Sequence, residues 1–143
     1  MFLGEYQHTL DPKGRVILPS AFRDELQEGV VMTVAPDHCL SVHPVPDWQR
    51  VVESLQQLRP TDSRERMFAR MIRSQAHPET LDRQGRITIP ARLREYAGLA
   101  KDVTVVGADE RLELWDSAAW EAYREQGMAA LAATDQAFDL GVL

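Results

Sequence analysis

Apolar and polar positions follow one another along this chain in two nearly matching series. VVMTVAPDHCLSVH, from Val30, and DVTVVGADERLELW, from Asp102, each set two apolar runs around a polar turn containing Asp, the pattern of a β-hairpin. Ahead of each hairpin lies a short β-rich run, RVIL from Arg15 and RITI from Arg86. Each run is preceded by a strand-like stretch, over 5–10 and, less sharply, over 75–81. Pro19 and Pro90 stop the short runs and open helical segments, PSAFRDEL and PARLREYA, closed by Gly29 and Gly98. After each hairpin the apolar period lengthens to that of an amphipathic helix. The first carries Trp48, Val51, Val52, Leu55 and Leu58 on one stripe, and the second Trp120, Tyr123 and Leu131. Between the two series, TDSRERMFARMIRSQ predicts one more helix, with Asp62 and Glu65 as its capping box. Met67, Phe68, Met71 and Ile72 form its apolar face. Arg66, Arg70 and Arg73 line another, either as a solvated stripe or as a contact for phosphate or a partner.

The likeness of the two series is residue for residue. At an offset of 71, Thr9, Leu10, Asp11, Gly14, Arg15, Pro19 and Arg23 fall on Thr80, Leu81, Asp82, Gly85, Arg86, Pro90 and Arg94. At 72, Val31, Val34, Asp37, Leu40 and Trp48 fall on Val103, Val106, Asp109, Leu112 and Trp120. A half of roughly 70 residues leaves too much strand edge open to seal its own core. Two such halves can close each other. The expected fold is therefore α+β: two tandem β-α-β-β-α half-repeats interleaved into one small pseudo-twofold β-barrel with flanking helices. Its expected divisions are 1–58 and 75–130 for the halves, 59–74 for the connecting helix and 131–143 for a tail.

Composition narrows the function classes. With 44% hydrophobic and 27% charged residues among 143, the chain reads as globular. No apolar run is long enough to span a bilayer, and MFLGEYQHTL lacks the basic-then-apolar order of a signal peptide, so a cytoplasmic location and no membrane partner are expected. A single cysteine, Cys39, cannot form an internal disulfide and is expected to be buried as a small hydrophobe. The net charge of −6 argues against a non-specific nucleic-acid coat, but the charge is unevenly spread. Between Arg59 and Arg94 nine arginines stand against four acids, whereas from Asp102 onward nine acids stand against Arg111 and Arg124. A local basic surface on an acidic protein is compatible with that distribution.

The repeated turn is the candidate site. In DPKG, Asp11 opens the turn, Pro12 fixes φ, and Gly14 can take the left-handed conformation of a type I turn with a G1 bulge; DRQG keeps Asp82 and Gly85. Arg15 and Arg86 then begin the following strands, with an aspartate four positions back able to hold each guanidinium. Taken alone, one such pair is better explained as a local ion pair flanking a hairpin turn, worth under about 1 kcal/mol and with no further role. The second copy changes the weighing, because Asp, Gly and Arg recur while Pro12 and Lys13 stand against Arg83 and Gln84. A turn needs the Asp and the Gly; it does not need the Arg. An arginine at the tip of a β-ribbon can place its planar fork on guanine O6 and N7 in the major groove, with Lys13 or Arg83 holding phosphate beside it.

Other chemistries are weaker. Asp11 and Asp82 could form a carboxylate dyad, but Pro12-Lys13 and Arg83-Gln84 follow them where an aspartic protease has Thr or Ser and then Gly, and an adjacent arginine would keep both ionised. No enzymatic activity is expected. His38, Cys39 and His43 lack the paired spacing of a zinc site, and the second half replaces them with Glu110, Arg111 and Trp115. Trp48 and Trp120 read as helix anchors in the core. His8 and His77 precede the two turns and either touch a ligand or flank a strand. A purely structural oligomer or protein-binding module remains the third reading, in which Arg15 and Arg86 are dispensable.

MFLGEYQHTLDPKGRVILP, ERMFARMIRSQAHPETLDRQGRITIP and the paired Asp-x-x-x-Arg motifs resemble the MraZ family of bacterial transcriptional regulators, within the AbrB-like (SpoVT-AbrB) swapped-hairpin superfamily. The resemblance runs from Met1 to about Arg124. It implies a swapped-hairpin barrel and DNA binding through Asp11 with Arg15 and Asp82 with Arg86. It further implies a ring-shaped homo-oligomer docked on short G-rich direct repeats upstream of the division and cell-wall gene cluster, hence nucleoid association. No cofactor, metal or small-molecule substrate is expected.

Overall fold

Val30–Ala35 (β3) is buried on both sides: Val30 and Met32 face one layer, Val31 and Thr33 the other, as the two-residue period of a strand requires. The computed structural model that places it describes residues 1–134, so most of the expected tail lies outside the described residues. Around β3 run β1 (Glu5–Thr9), β4 (Cys39–Pro44), β5 (His77–Glu79), β7 (Asp102–Ala108) and β8 (Arg111–Asp116). They form a six-stranded antiparallel sheet in the order β1-β7-β8-β4-β3-β5. Two short strands, β2 (Arg15–Ile17) and β6 (Arg86–Thr88), make a separate antiparallel ribbon.

The halves interleave. β1 of the first half pairs with β7 of the second, and β5 of the second with β3 of the first. The copies meet twice more, β4 against β8 and β2 against β6. Exchanging the halves maps each pairing onto its counterpart, which is the expected pseudo-twofold relation. The expected closed barrel is not what the ladders trace. They end at β1 and β5, and an isolated bridge from Leu10 to Val16 joins the first strand segment to the ribbon.

Three layers result. On one face of the sheet, Val30, Met32, Leu40, Val42, Val103, Val105, Leu112 and Leu114 share a core with Val16, Leu18, Ile87 and Ile89 of the ribbon segments. Phe22 and Leu93 complete it, carried by the short helical segments Ser20–Leu26, a 3-10 helix, and Ala91–Tyr96 (α3). On the opposite face lie α1 (Trp48–Gln56) and α2 (Ser63–Gln75), joined by a small cluster of Leu55, Ala69 and Ile72. Thr33 Oγ1 donates to the Ile72 carbonyl at 2.7 Å, tying α2 to β3. α4 (Ser117–Ala132) covers β7 and β8 through Trp120 and Tyr123, which pack on Trp115 at centroid distances of 5.1 and 4.9 Å.

Two helices bury less of their expected apolar stripes. Asp62 caps α2 by accepting from the backbone of Arg64 and Glu65, but the face that α2 buries is Ala69 and Ile72. Small Ala69 lets the helix approach β3, and this rotates Met67, Phe68 and Met71 outward, to 64%, 48% and 48% exposure. None of the residues of α4 is buried: Tyr123, Met128 and Leu131 stay exposed, and the helix runs through Ala132, past the point where a tail is expected. Trp48 and Trp120 are half-buried, at the rim of their clusters.

Candidate functional site

Each repeated turn closes itself. Gly14 N donates to the Asp11 carbonyl at 3.0 Å and Asp11 N to the Arg15 carbonyl at 2.9 Å; Gly85 and Asp82 repeat both bonds at 2.9 Å. Gly14 and Gly85 stand at φ of 79° and 77°, the left-handed conformation that the turn demands and that side chains resist. The aspartates do more than open the turn. Asp11 Oδ1 accepts from the backbone N–H of Lys13 and of Arg15, both at 2.9 Å, and Oδ2 accepts from Arg15 Nε at 2.7 Å. Asp82 does the same with Gln84, Arg86 and Arg86 Nε, at 2.9, 2.9 and 2.7 Å. Backbone donation from Arg15 and Arg86 is the largest effect and, with the guanidinium bonds, outweighs the opposing desolvation to hold both carboxyls below their ordinary range.

The bond to Nε has a geometric consequence. A guanidinium held by Nε presents its two η nitrogens outward, as a fork for a planar pair of acceptors. Arg15 and Arg86 side chains are 29% and 24% exposed, pinned at the root and open at the tip. Lys13 and Arg83 are exposed on the turns themselves.

The ribbon puts the two forks on one face. Arg15 pairs with Thr88, Val16 with Ile87, and Ile17 with Arg86. Val16 and Ile87 are buried, so Arg15, Ile17, Arg86 and Thr88 all point the other way. Arg15 and Arg86 are then diagonal neighbours on antiparallel strands, with Cα atoms about 7–8 Å apart. The turns are therefore not the tips of two separate hairpins, since β1, which leads into the first turn, pairs along its whole length with β7 and β2 pairs with β6. They stand at either end of one ribbon built from both halves.

The remaining sequence candidates are dispersed. A dyad sharing one proton would have one carboxyl raised, whereas Asp11 and Asp82 are both lowered, each by its own arginine. The His38 ring packs tilted against Tyr96 at a centroid distance of 5.2 Å, and the His43 ring meets Trp48 edge-on at 5.6 Å. Cys39 is buried, with its thiol pushed up to about 12 by burial, and burial pushes His43 down to about 4. Among the described residues, no group of three or more His, Cys, Asp or Glu side chains could hold a metal ion. His8 is lowered by burial and then by Arg23, and His77 faces Glu79 at 3.2 Å. The α2 arginine stripe lies on the sheet face opposite the ribbon, where Arg66 donates to the Pro60 carbonyl. Among the described residues, no helix is long and apolar enough to cross a membrane.

One matched pair of arginines acquires a place only in the fold. Arg23 and Arg94 matched in the repeat, and the fold sets each against the glycine of the other half's turn. Their recurrence at equal offset was the available signal.

Two interleaved copies of one half-domain, sharing a ribbon that presents two carboxylate-held arginines, define a duplicated α+β protein with a paired guanidinium site. A family described as "MraZ protein, putative antitoxin-like" matches residues 1–71 and again 72–140, one match per copy. The chain belongs to the MraZ family. It is 48% identical to a protein of Salinispora arenicola over 86% of this chain and 87% of that one. It is 44% identical to one of Micrococcus luteus over 95% of each, and 43% identical to one of Acetivibrio thermocellus over 99% of this chain and all of that one. All three relatives carry the name "Transcriptional regulator MraZ".

Proposed function

We propose that the protein is a transcriptional regulator that binds double-stranded DNA sequence-specifically through its two Asp-x-x-x-Arg turns. The observation that carries this reading is the shared outward face of Arg15 and Arg86, each with Nε fixed by its own aspartate. A fork presented end-on matches the O6 and N7 acceptors of guanine, and a two-stranded ribbon fits the major groove. Lys13 and Arg83, exposed on either turn, hold the flanking phosphates, which sets register without reading sequence. With a net charge of −6, the protein gains little from non-specific attraction, so discrimination rests on these few side chains.

The targets we assign are short G-rich direct repeats upstream of the division and cell-wall gene cluster, bound by a ring-shaped homo-oligomer at the nucleoid in the cytoplasm. One protomer spans only a few base pairs. Neighbours in a ring raise the effective concentration of each ribbon at the next repeat. The exposed apolar side chains of α2 and α4 support self-assembly, since they are the surface that packing between copies would cover. The interleaved strands support the swapped-hairpin architecture, with half-repeats at 1–58 and 75–130 around the 59–74 connector.

Fluorescence anisotropy with duplex DNA taken from directly ahead of the chain's own reading frame tests the reading. Arg15→Ala and Arg86→Ala should each weaken binding at least tenfold with unchanged circular dichroism. Folded variants that bind as well as the parent would refute the assignment.

A further inference from the structure

We infer that Arg94 and Arg23 are positioning residues, each bracing the recognition turn of the opposite half: Arg94 under the turn that carries Arg15, Arg23 under the turn that carries Arg86. The inference rests on the DNA-binding reading for its functional consequence, but its structural content stands apart.

Both arginines sit in the last turn of the short helical segment that follows their own ribbon strand. Neither side chain is fully exposed. A Cβ added to Gly14 would land on Arg94 Nη1 and lie 2.8 Å from Arg94 Cζ; one added to Gly85 would meet Arg23 Cζ at 2.6 Å and Nη2 at 3.0 Å. A flat guanidinium thus occupies the space that a side chain at either glycine would need, which explains the glycines beyond their positive φ. The backbone reinforces the crossing. Ile89 N donates to the Gly14 carbonyl at 2.8 Å, and Leu18 N to the Gly85 carbonyl at 2.9 Å. Arg94 Nη1 also donates to the Ile89 carbonyl at 3.0 Å, so the first turn rests on residues 89 and 94 of the second half.

The braces differ. Among the described residues, Arg23 Nε is buried without a hydrogen-bond partner, whereas Arg94 is bonded to Ile89. Removing Arg94 forfeits a bond; removing Arg23 relieves an orphaned donor. Arg94 is therefore the stronger brace.

The test is a crossed pair of double-mutant cycles, read by anisotropy on the same upstream duplex, together with amide exchange by NMR on the DNA-free protein. Arg94→Ala should weaken binding about five- to thirtyfold, in the range of couplings between residues in contact. That effect should shrink below about twofold in an Arg15→Ala background and persist in full with Arg86→Ala. In the free protein, Arg94→Ala should accelerate exchange of the Gly14 amide and leave that of Gly85 unchanged, with the reverse, weaker pattern for Arg23→Ala. Arg94→Lys keeps the charge but not the flat fork, so it should loosen Gly14 as well; it also serves if the alanine variant fails to fold. Equal losses in both backgrounds, or exchange that changes at the same-half glycine, would overturn the inference. If Arg15→Ala and Arg86→Ala leave DNA binding intact while Gly14 still loosens on loss of Arg94, the bracing stands and the DNA reading alone fails.

Discussion

Replacing Arg15 by lysine separates charge from geometry. Lysine keeps one positive charge at the start of β2 but cannot make the Nε bond to Asp11 Oδ2, 2.7 Å long in the parent, and it has no second η nitrogen. The phosphate attraction of the turn should survive, and the planar readout should not. A bidentate arginine–guanine contact supplies about 1–3 kcal/mol of discrimination, which corresponds to about 5- to 150-fold between a G-rich site and a scrambled one. Because the ribbon carries two such forks about 7–8 Å apart, Arg86→Lys should remove a second portion of similar size. The double variant should then bind both duplexes with nearly equal affinity. Anisotropy titrations on the two duplexes, repeated across a salt series, read both quantities at once. The specificity ratio should collapse, while the slope of log affinity against log salt stays within about one unit of the parent. A double lysine variant that still discriminates as the parent does would refute fork-based readout and leave charge or DNA shape as the basis of recognition.

Gly14→Ala and Gly85→Ala should each destabilise the fold by at least about 1–2 kcal/mol, since alanine resists a left-handed φ and its methyl would displace the opposing guanidinium; thermal denaturation measures the loss, and an unchanged midpoint counts against the cross-half packing. Asp11 and Asp82 have folded pKa values below their unfolded ones, so their stabilisation is complete above the ordinary carboxylate value of about 3.9 and fades only as pH falls through the lower folded value. Asp11→Asn with Asp82→Asn should flatten that acid limb in a pH series of melting curves, and an acid limb as steep as the parent's would sink the claim. Cys39, buried with its thiol near 12, should react with a thiol reagent at neutral pH only after denaturant is added; prompt reaction of the folded protein would contradict the packing. Ile87→Ala should cost about 2–5 kcal/mol by hollowing the core beneath the ribbon, and DNA affinity should fall with it; a variant that keeps full stability would mean that the ribbon is not anchored there.

Much of the site is written locally. Asp, Gly and Arg at fixed spacing set the turn, its left-handed glycine and the carboxylate-to-Nε bond, because all of those contacts lie within five residues. The two-residue period of a strand, applied to VVMTVA and to the short runs RVIL and RITI, already says which side chains share a face. Duplication of the whole series indicates that a second, equivalent turn exists.

Partnership was left to the tertiary structure. A strand's period of two fixes its faces but not its neighbour, since backbone donors and acceptors are the same in every sequence. Nothing local says that β2 ignores β1 and pairs with β6, yet that pairing alone brings Arg15 and Arg86 to one surface. The phase of α2 was likewise decided by contact: Ala69 and Ile72 fit against β3, and the bulkier Met67, Phe68 and Met71 did not. Arg23 and Arg94 acquire a role only because interleaving carries each beneath a glycine some sixty to eighty positions away in the chain. Short-range bonds are encoded where they form, whereas a contact between distant segments exists only once two chain halves have buried their apolar faces together.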